Sequence, residues 1–199
     1  MNKLPDKIQI TIGPEGGIFV PKKQLSLVSG DDPILHSPCN PADITASAYL
    51  ENRSLVETML KICELRKGYG LSANQVGLSK RLFVLYVSSN SFNIDLAYFN
   101  PEVLKLAETS SVMEEGCLSY PFIEVKISRP DWVILQWFDI NGNNKRATFH
   151  GMTARVILHE MDHLNGITIF DHLSPLESRL AREKQRKLLK KAKRRSIIK

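Results

Sequence analysis

Between Leu55 and Cys63 the apolar residues fall at 55, 56, 59, 60 and 63, the spacing of one helix face, and Gly68 stands just past the last turn. The pattern predicts a helix whose stripe buries against a sheet, with Cys63 a core residue on that stripe. Arg81–Ser88 (RLFVLYVS) is a short apolar run bounded by polar residues and predicts a buried strand. Val112–Met113 and Trp132–Phe138 also read as strand. Asn141-Gly142-Asn143 is a turn signal that pairs Val133–Ile140 with Asn144–Phe149 as a hairpin. A second helix is predicted over Met152–Asn165, where Val156, Ile157, Met161 and Leu164 are apolar and Gly166 supplies a stop. Near the start, two β-prone pieces, Ile8–Ile12 and Gly17–Val20, flank the turn sequence GPEGG. Asp31-Asp32-Pro33 and Ser37-Pro38-Cys39-Asn40-Pro41 read as loop. Helix, several strands, helix and a basic helix follow one another without βαβ alternation, which predicts an α+β fold.

With 199 residues and 22.5 kDa the chain is long enough for one packed domain. Its 43% hydrophobic and 24% charged residues are ordinary for a globular protein and exclude global disorder and a disulfide scaffold. No apolar run reaches the roughly 18 residues that span a bilayer, so no membrane partner is expected. The first residues have no apolar core of the signal-peptide kind. No Arg precedes Arg53, and Asp6 and Glu15 are present, which speaks against a transit peptide. Three cysteines without a CxxC fit a reducing compartment, so a cytoplasmic location is expected. Charge changes the picture more. Ser174 to Lys199 holds eleven Lys/Arg and two acids, a net +9 out of the chain's +6, which leaves −3 for residues 1–173. The body is mildly acidic and the tail strongly basic, so the tail is either a solvated helix or a contact for a polyanion.

The sharpest chemical signal is His159-Glu160-Met161-Asp162-His163 inside the second predicted helix. Two His at i and i+4 lie about 40° apart around the axis and about 6 Å apart along it, so both rings can reach one ion. Glu160 lies beside the first of them, where it can take a proton from water. Two of the chain's five His at ligand spacing on a mainly apolar helix disfavour an incidental pair. A catalytic site of this kind needs a third protein ligand and an open position. Downstream, Asp171 and His172 match no extended zincin motif. Upstream lies Glu115-Gly116-Cys117-Leu118-Ser119, in which Cys117 offers a soft thiolate that iron, zinc, nickel or cobalt would accept. A buried apolar thiol is the other reading of Cys117. Gly68-Tyr69-Gly70-Leu71-Ser72-Ala73-Asn74-Gln75-Val76-Gly77 fits neither phosphate-loop pattern and, taken alone, is a turn between helix and strand.

Together and in this order, GYGLSANQVG, EGCLS and HEMDHLNG resemble the three signature motifs of the peptide deformylases, whose forms are close to GxGLAAxQ, EGCLS and QHExDHL. The resemblance covers about residues 26–173 and takes in DDPILHSPCNPAD ahead of the first helix. Ser72 stands where the family usually has Ala, Asn74 where many members have Pro, and Leu158 where Gln is common. The resemblance implies antiparallel or mixed sheets around a central metal-binding helix, with a C-terminal basic helix. It implies removal of the N-formyl group from the formylmethionine of nascent polypeptides, releasing formate. Cys117, His159 and His163 would hold one divalent metal, Fe2+ natively, with Zn2+, Ni2+ or Co2+ as substitutes. Glu160 would move the proton, and the Gln75 side-chain amide and the Leu118 main-chain N–H would stabilise charge on the formyl oxygen. Gly70 would offer its backbone to an extended peptide. Met152, Val156 and His159 share a helix face that could wall the methionine pocket, with Tyr69 opposite, although Met152 and Val156 also suit an ordinary core. Glu115 would pair with Arg129 and steady the Cys117 loop. Asp162 receives no catalytic role.

The resulting division is residues 1–24 as an extension of unknown role, 25–173 as the catalytic domain and 174–199 as a basic helix or tail. A metallopeptidase sharing HExxH is disfavoured by the missing zincin extension. An inactive deformylase-like binding module is disfavoured by the complete set of Cys117, His159, His163, Glu160 and Gln75. Leu176–Arg195 is rich in helix formers, and Leu176, Leu180 and Leu188-Leu189 give it a sparse apolar face. The resemblance offers the ribosome, at RNA or protein near the peptide exit, as its partner. Bacterial or phage origin fits these features.

Overall fold

The computed structural model describes residues 25–86 and 96–197, with the side chains of the last three outside the description. The two N-terminal β-prone pieces lie outside the described residues. The first helix is α1, Tyr49–Arg66, and it ends on Lys67 in the left-handed conformation before Gly68. Leu55, Val56, Met59 and Cys63 of its stripe are buried, and Leu60 packs partly buried beside them. Strands β1 (Gly70–Ser72), β2 (Leu82–Leu85), β3 (Ala97–Leu106), β6 (Trp132–Phe138) and β7 (Asn144–His150) form an antiparallel five-stranded sheet in the order β1-β2-β3-β6-β7. A separate two-stranded ribbon pairs β4 (Ser110–Cys117) with β5 (Tyr120–Pro130).

The sheet carries α1 over β1 and β2. Helix α2, Gly151–Leu164, packs against β1, β2, β6 and β7, and also touches β5 of the ribbon. Its apolar residues Ala154, Ile157, Leu158, Met161 and Leu164 join Phe83, Leu85, Tyr98, Leu135 and Trp137 of the sheet in one core cluster. A smaller cluster seats the ribbon, through Cys117, Tyr120, Ile123, Val125 and Ile127, against Leu35, Ile169 and Phe170. The α2 helix is thus held between sheet and ribbon, as the α+β reading with a central helix anticipates.

The predicted hairpin is β6–β7, in register from Trp132↔His150 to Phe138↔Asn144. Asp139 closes its turn by accepting hydrogen bonds from the main-chain N–H groups of Asn141 and Asn143, both at 2.9 Å. Gly166 ends α2 for two reasons. Its φ is +75°, and a Cβ there would sit 2.8 Å from the main chain of Ser37.

The C-terminal helix α3, Pro175–Ile197, runs past the ribbon. Its contact face differs from the apolar stripe that the sequence suggests. Leu176 and Leu180 are exposed, and the seat is made by Ala181, by Arg182 stacked 4.0 Å over the Phe170 ring, and by Gln185 donating to the carbonyl of Pro121 at 3.4 Å. A guanidinium plane covers an aromatic face as an apolar side chain would, while its edge stays hydrated. Among the described residues no helix is long and apolar enough to cross a membrane.

Candidate active site

Helix α2 delivers His159, Glu160 and His163 from its last two turns, and β4 delivers Cys117 from its end. The ribbon's pairing slips between Gly116 and Cys117, so Cys117 lies opposite Tyr120 at a tight turn. This irregularity turns the thiol toward α2. Its Sγ lies 3.2 Å from Nε2 of His163. One donor atom from each of Cys117, His159 and His163 falls within 4.8 Å of the others, and the two imidazole rings stand nearly perpendicular, 76° apart.

The donor set fits a divalent ion on its own chemistry. Burial pushes the Cys117 thiol up, but the charge of His163 and hydrogen bonds from both imidazoles outweigh it and hold the thiol well below its usual range. A thiolate is what a metal needs. Burial alone would lower His159, yet its hydrogen bonds to Cys117 and Glu115 take it up to about 10, so an ion that binds this imidazole displaces a proton from it. Nδ1 of His159 is occupied by Oε2 of Glu115 at 3.0 Å, which leaves Nε2 for an ion.

Glu115 is the hub of a buried charge network. Arg129 grips it as a fork, Nε to Oε1 at 2.6 Å and Nη2 to Oε2 at 2.9 Å. Arg155, from α2, adds Nη1 to Oε1 at 2.8 Å and reaches the main-chain oxygens of Ile127 at 3.1 Å and Ser111 at 2.7 Å. Burial raises the Glu115 carboxyl, but hydrogen bonds from His159 and Arg129, with the charges of both, bring it down to about 2. The pairing of Glu115 with Arg129 follows the sequence expectation. Arg155 does not appear in it, although an Arg between Ala154 and Ile157 on the buried side of a mainly apolar helix is itself a signal. Asp162 faces away from the ligands and accepts from Arg129 at 2.8 Å, with Nε2 of His172 at 2.6 Å. His172 therefore belongs to this outer network and not to the ligand cluster.

Gln75 sits in the short 3-10 turn Ala73–Val76 that follows β1. The main-chain N–H of Ser72 donates to its Oε1 at 2.9 Å, which directs Nε2 toward Cys117 Sγ at 3.5 Å and Ser119 Oγ at 3.2 Å. Ser119 is a neighbour the motif reading passes over. Glu160 is buried, and burial raises its carboxyl above the ordinary range. The Ser72 hydroxyl donates to Glu160 Oε2 at 2.7 Å. The amide of Asn74 donates to the main-chain oxygen of His163 at 2.6 Å. Both positions at which the first motif departs from the common family form therefore bond α2.

The remaining expected residues stand nearby in different settings. Gly70 is buried in β1, an edge strand, and a Cβ on it would sit 2.6 Å from Glu160 Oε1. Its missing side chain makes room for the carboxylate. Leu118, next to Cys117, packs its side chain partly buried against the cluster formed by Leu55, Met59 and Cys63 of α1. Tyr69 and Met152 are exposed at 70% and 53%, whereas Val156 is half-buried against the α2 core. Their surfaces leave Tyr69 and Met152 accessible to a ligand, and Val156 less so.

A buried Cys-His-His cluster beside a carboxylate on the same helix defines a metallohydrolase site. The family model described as polypeptide deformylase matches residues 24–179. The chain belongs to the polypeptide deformylase family. It is 37% identical to the peptide deformylase of Psychrobacter cryohalolentis over 167 residues, 83% of this chain and 88% of that one. Against the peptide deformylase of Thermotoga maritima it is 37% identical over 154 residues, 77% of this chain and 89% of that one. Among solved structures, the Thermotoga maritima enzyme superposes with a TM-score of 0.69 at 34% identity, covering 76% of this chain and 98% of its own. The Synechococcus elongatus peptide deformylase in complex with actinonin gives 0.74 at 32% identity, covering 83% and 90%.

Proposed function

We propose that this site removes the formyl group from the N-terminal formylmethionine of nascent polypeptides, with Cys117, His159 and His163 as the metal ligands. The observation that carries the reading is the convergence of those three donors within 4.8 Å beside a buried Glu160. A bound divalent ion supplies Lewis acidity and makes water a nucleophile at neutral pH. Fe2+ is the native ion in this reading, with Zn2+, Ni2+ and Co2+ as alternatives that the same soft and borderline donors accept. Glu160 takes the water's proton and later delivers it to the leaving amine nitrogen. Its raised pKa suits a group that must hold a proton between the two steps. The Nε2 of Gln75 and the main-chain N–H of Leu118 stabilise charge on the formyl oxygen. The fixed orientation of the Gln75 amide supports its part.

The peptide lies extended along β1 at Gly70, the outermost strand of the sheet among the described residues, and its methionine side chain is received by Tyr69, Met152 and Val156. Residues 25–173 form the catalytic domain, 1–24 an extension, and 174–199 a basic arm for the ribosome in the cytoplasm of a bacterium or a phage-infected cell. The exposed basic face of α3 supports that arm. Phosphate neutralisation makes such binding fall steeply with salt.

Three substitutions test the roles. Glu160→Gln keeps the metal and loses about 10²-fold or more in kcat. Cys117→Ala loses the metal. Gln75→Ala binds metal normally and loses about 10² in kcat. Normal turnover by metal-loaded Glu160→Gln refutes the base, and a loss confined to KM in Gln75→Ala refutes the oxyanion donor.

A further inference from the structure

We infer that Ser72 is a positioning residue for catalysis: its hydroxyl fixes the rotation of the Glu160 carboxylate, in a cradle completed by Gly70. Gly70 and Ser72 are at i and i+2 of β1, so they face the same side of the strand. That side faces α2. The Ser72 hydroxyl is 2.7 Å from Oε2 of Glu160 and 3.1 Å from the main-chain oxygen of the same residue. A hydroxyl has one hydrogen to give, and the nearer, charged acceptor is the carboxylate. At the other end, a Cβ on Gly70 would come within 2.6 Å of Oε1 and 2.9 Å of the Glu160 Cγ. The carboxylate therefore spans the strand residues, one oxygen over a position with no side chain and the other on a hydroxyl.

The terminal torsion of a glutamate is broad and two-fold, so packing of the stem alone does not choose the plane of the carboxylate. A single strong donor does. Ser72 and Glu160 are 0% and 3% exposed, so water does not take the donor's place. Ser72 also ties the other half of the proposed machinery, because its main-chain N–H holds Oε1 of Gln75 at 2.9 Å. One residue of an edge strand thus sets the orientation of the base through its side chain and of the oxyanion donor through its backbone. Removal of the side chain leaves that backbone tie in place, although it also takes away the hydroxyl that caps the Gln75 main-chain N–H, so the carboxylate band of Glu160 is the readout that isolates the first role. A base misaligned by a fraction of an ångström loses rate without losing substrate affinity.

This inference rests on the reading of Glu160 as the base. The experiment compares the parent, Ser72→Ala, Ser72→Thr and Glu160→Gln as full-length, metal-loaded chains, with kcat and KM on a formyl-Met dipeptide normalised to bound metal. Infrared difference spectra of the glutamate carboxylate stretches accompany the kinetics. Ser72→Ala is expected to lower kcat per bound metal about tenfold, about 1.4 kcal/mol of activation free energy, with KM within twofold and a shifted carboxylate band. Ser72→Thr retains the hydroxyl and returns both readouts toward the parent. Unchanged kcat per metal in Ser72→Ala, with Glu160→Gln inactive, overturns the role of Ser72 and leaves the base standing. Full turnover in Glu160→Gln overturns the base itself. A Ser72→Ala protein that merely loses metal or raises KM, with kcat per metal intact, also overturns the inference.

Discussion

Replacement of Arg155 by Met removes a buried charge while keeping an aliphatic stem of similar reach. Arg155 is 5% exposed and gives hydrogen bonds to Glu115, to the carbonyls of Ser111 and Ile127, and to the Ser111 hydroxyl at 3.2 Å. It is therefore the rivet between α2 and both strands of the ribbon that carries Cys117. Breaking a buried ion pair from one side costs about 3–5 kcal/mol. Arg129 keeps its two-pronged grip on Glu115, so the carboxylate is not orphaned, and the lower end, about 3 kcal/mol, applies. For a domain of this size each kcal/mol moves Tm by about 2–4 °C, so a fall of roughly 6–12 °C is expected. Urea unfolding should move its midpoint with an unchanged slope. Because Glu115 orients His159, chelator competition should also show metal held about tenfold or more weakly. A loss below about 1 kcal/mol with unaltered metal retention would refute the reasoning, since it would mean that Arg129 alone holds the hub.

Glu115 gives a dependence on acid. Its carboxyl is at about 2 in the fold against an ordinary 4.5, so its stabilisation is fully present above about 4.5 and drains away as pH falls toward 2. That depression corresponds to on the order of 3 kcal/mol. Denaturant titrations should therefore show a smaller drop between pH 5 and 3 in Glu115→Gln than in the parent, and parallel drops would contradict the account. Gly70→Ala should push the Glu160 carboxylate off its seat, with kcat on a formyl-Met dipeptide falling at least about tenfold; parent-like turnover would show that the strand gives way instead. Gly166→Ala places a side chain at φ +75° against the Ser37 main chain and should cost at least about 1–3 kcal/mol in urea unfolding, with an effect under 0.5 kcal/mol speaking against the clash.

The long periodic elements were readable from the chain because their signals are local. The stripe of α1, the run of β2, the Asn-Gly hairpin and the helix around His159 each carry their own pattern. Strands β1, β3 and β5 were not singled out. β1 has three residues and all are buried, so it has no alternation to read. β3 is interrupted by Asn100 at φ +47° and by Pro101, and its pairing with β6 shifts register there. The ligand cluster was legible because two of its members share one helix turn and the third lies in a recognisable motif. The hub around Glu115 was half legible. Arg129 lies on the partner strand of the same hairpin, 14 residues on from Glu115, whereas Arg155 joins it from 40 residues away and only the tertiary fold brings them together. Ser72 and Asn74 were visible only as departures from a pattern, and their partners on α2 lie 88 and 89 residues on.

Deformylation by one metal ion held on Cys117, His159 and His163 can be read in formate release from a formyl-Met-Ala peptide while a metal-free preparation of the chain is titrated anaerobically with Fe2+. Turnover is expected to rise linearly and stop at one ion per chain, formate and free Met-Ala to appear in equal amounts, and Cys117→Ala to give no rise at the same additions. Turnover without metal, a break at another stoichiometry, or cleavage of the Met-Ala bond in place of formate release would contradict these expectations.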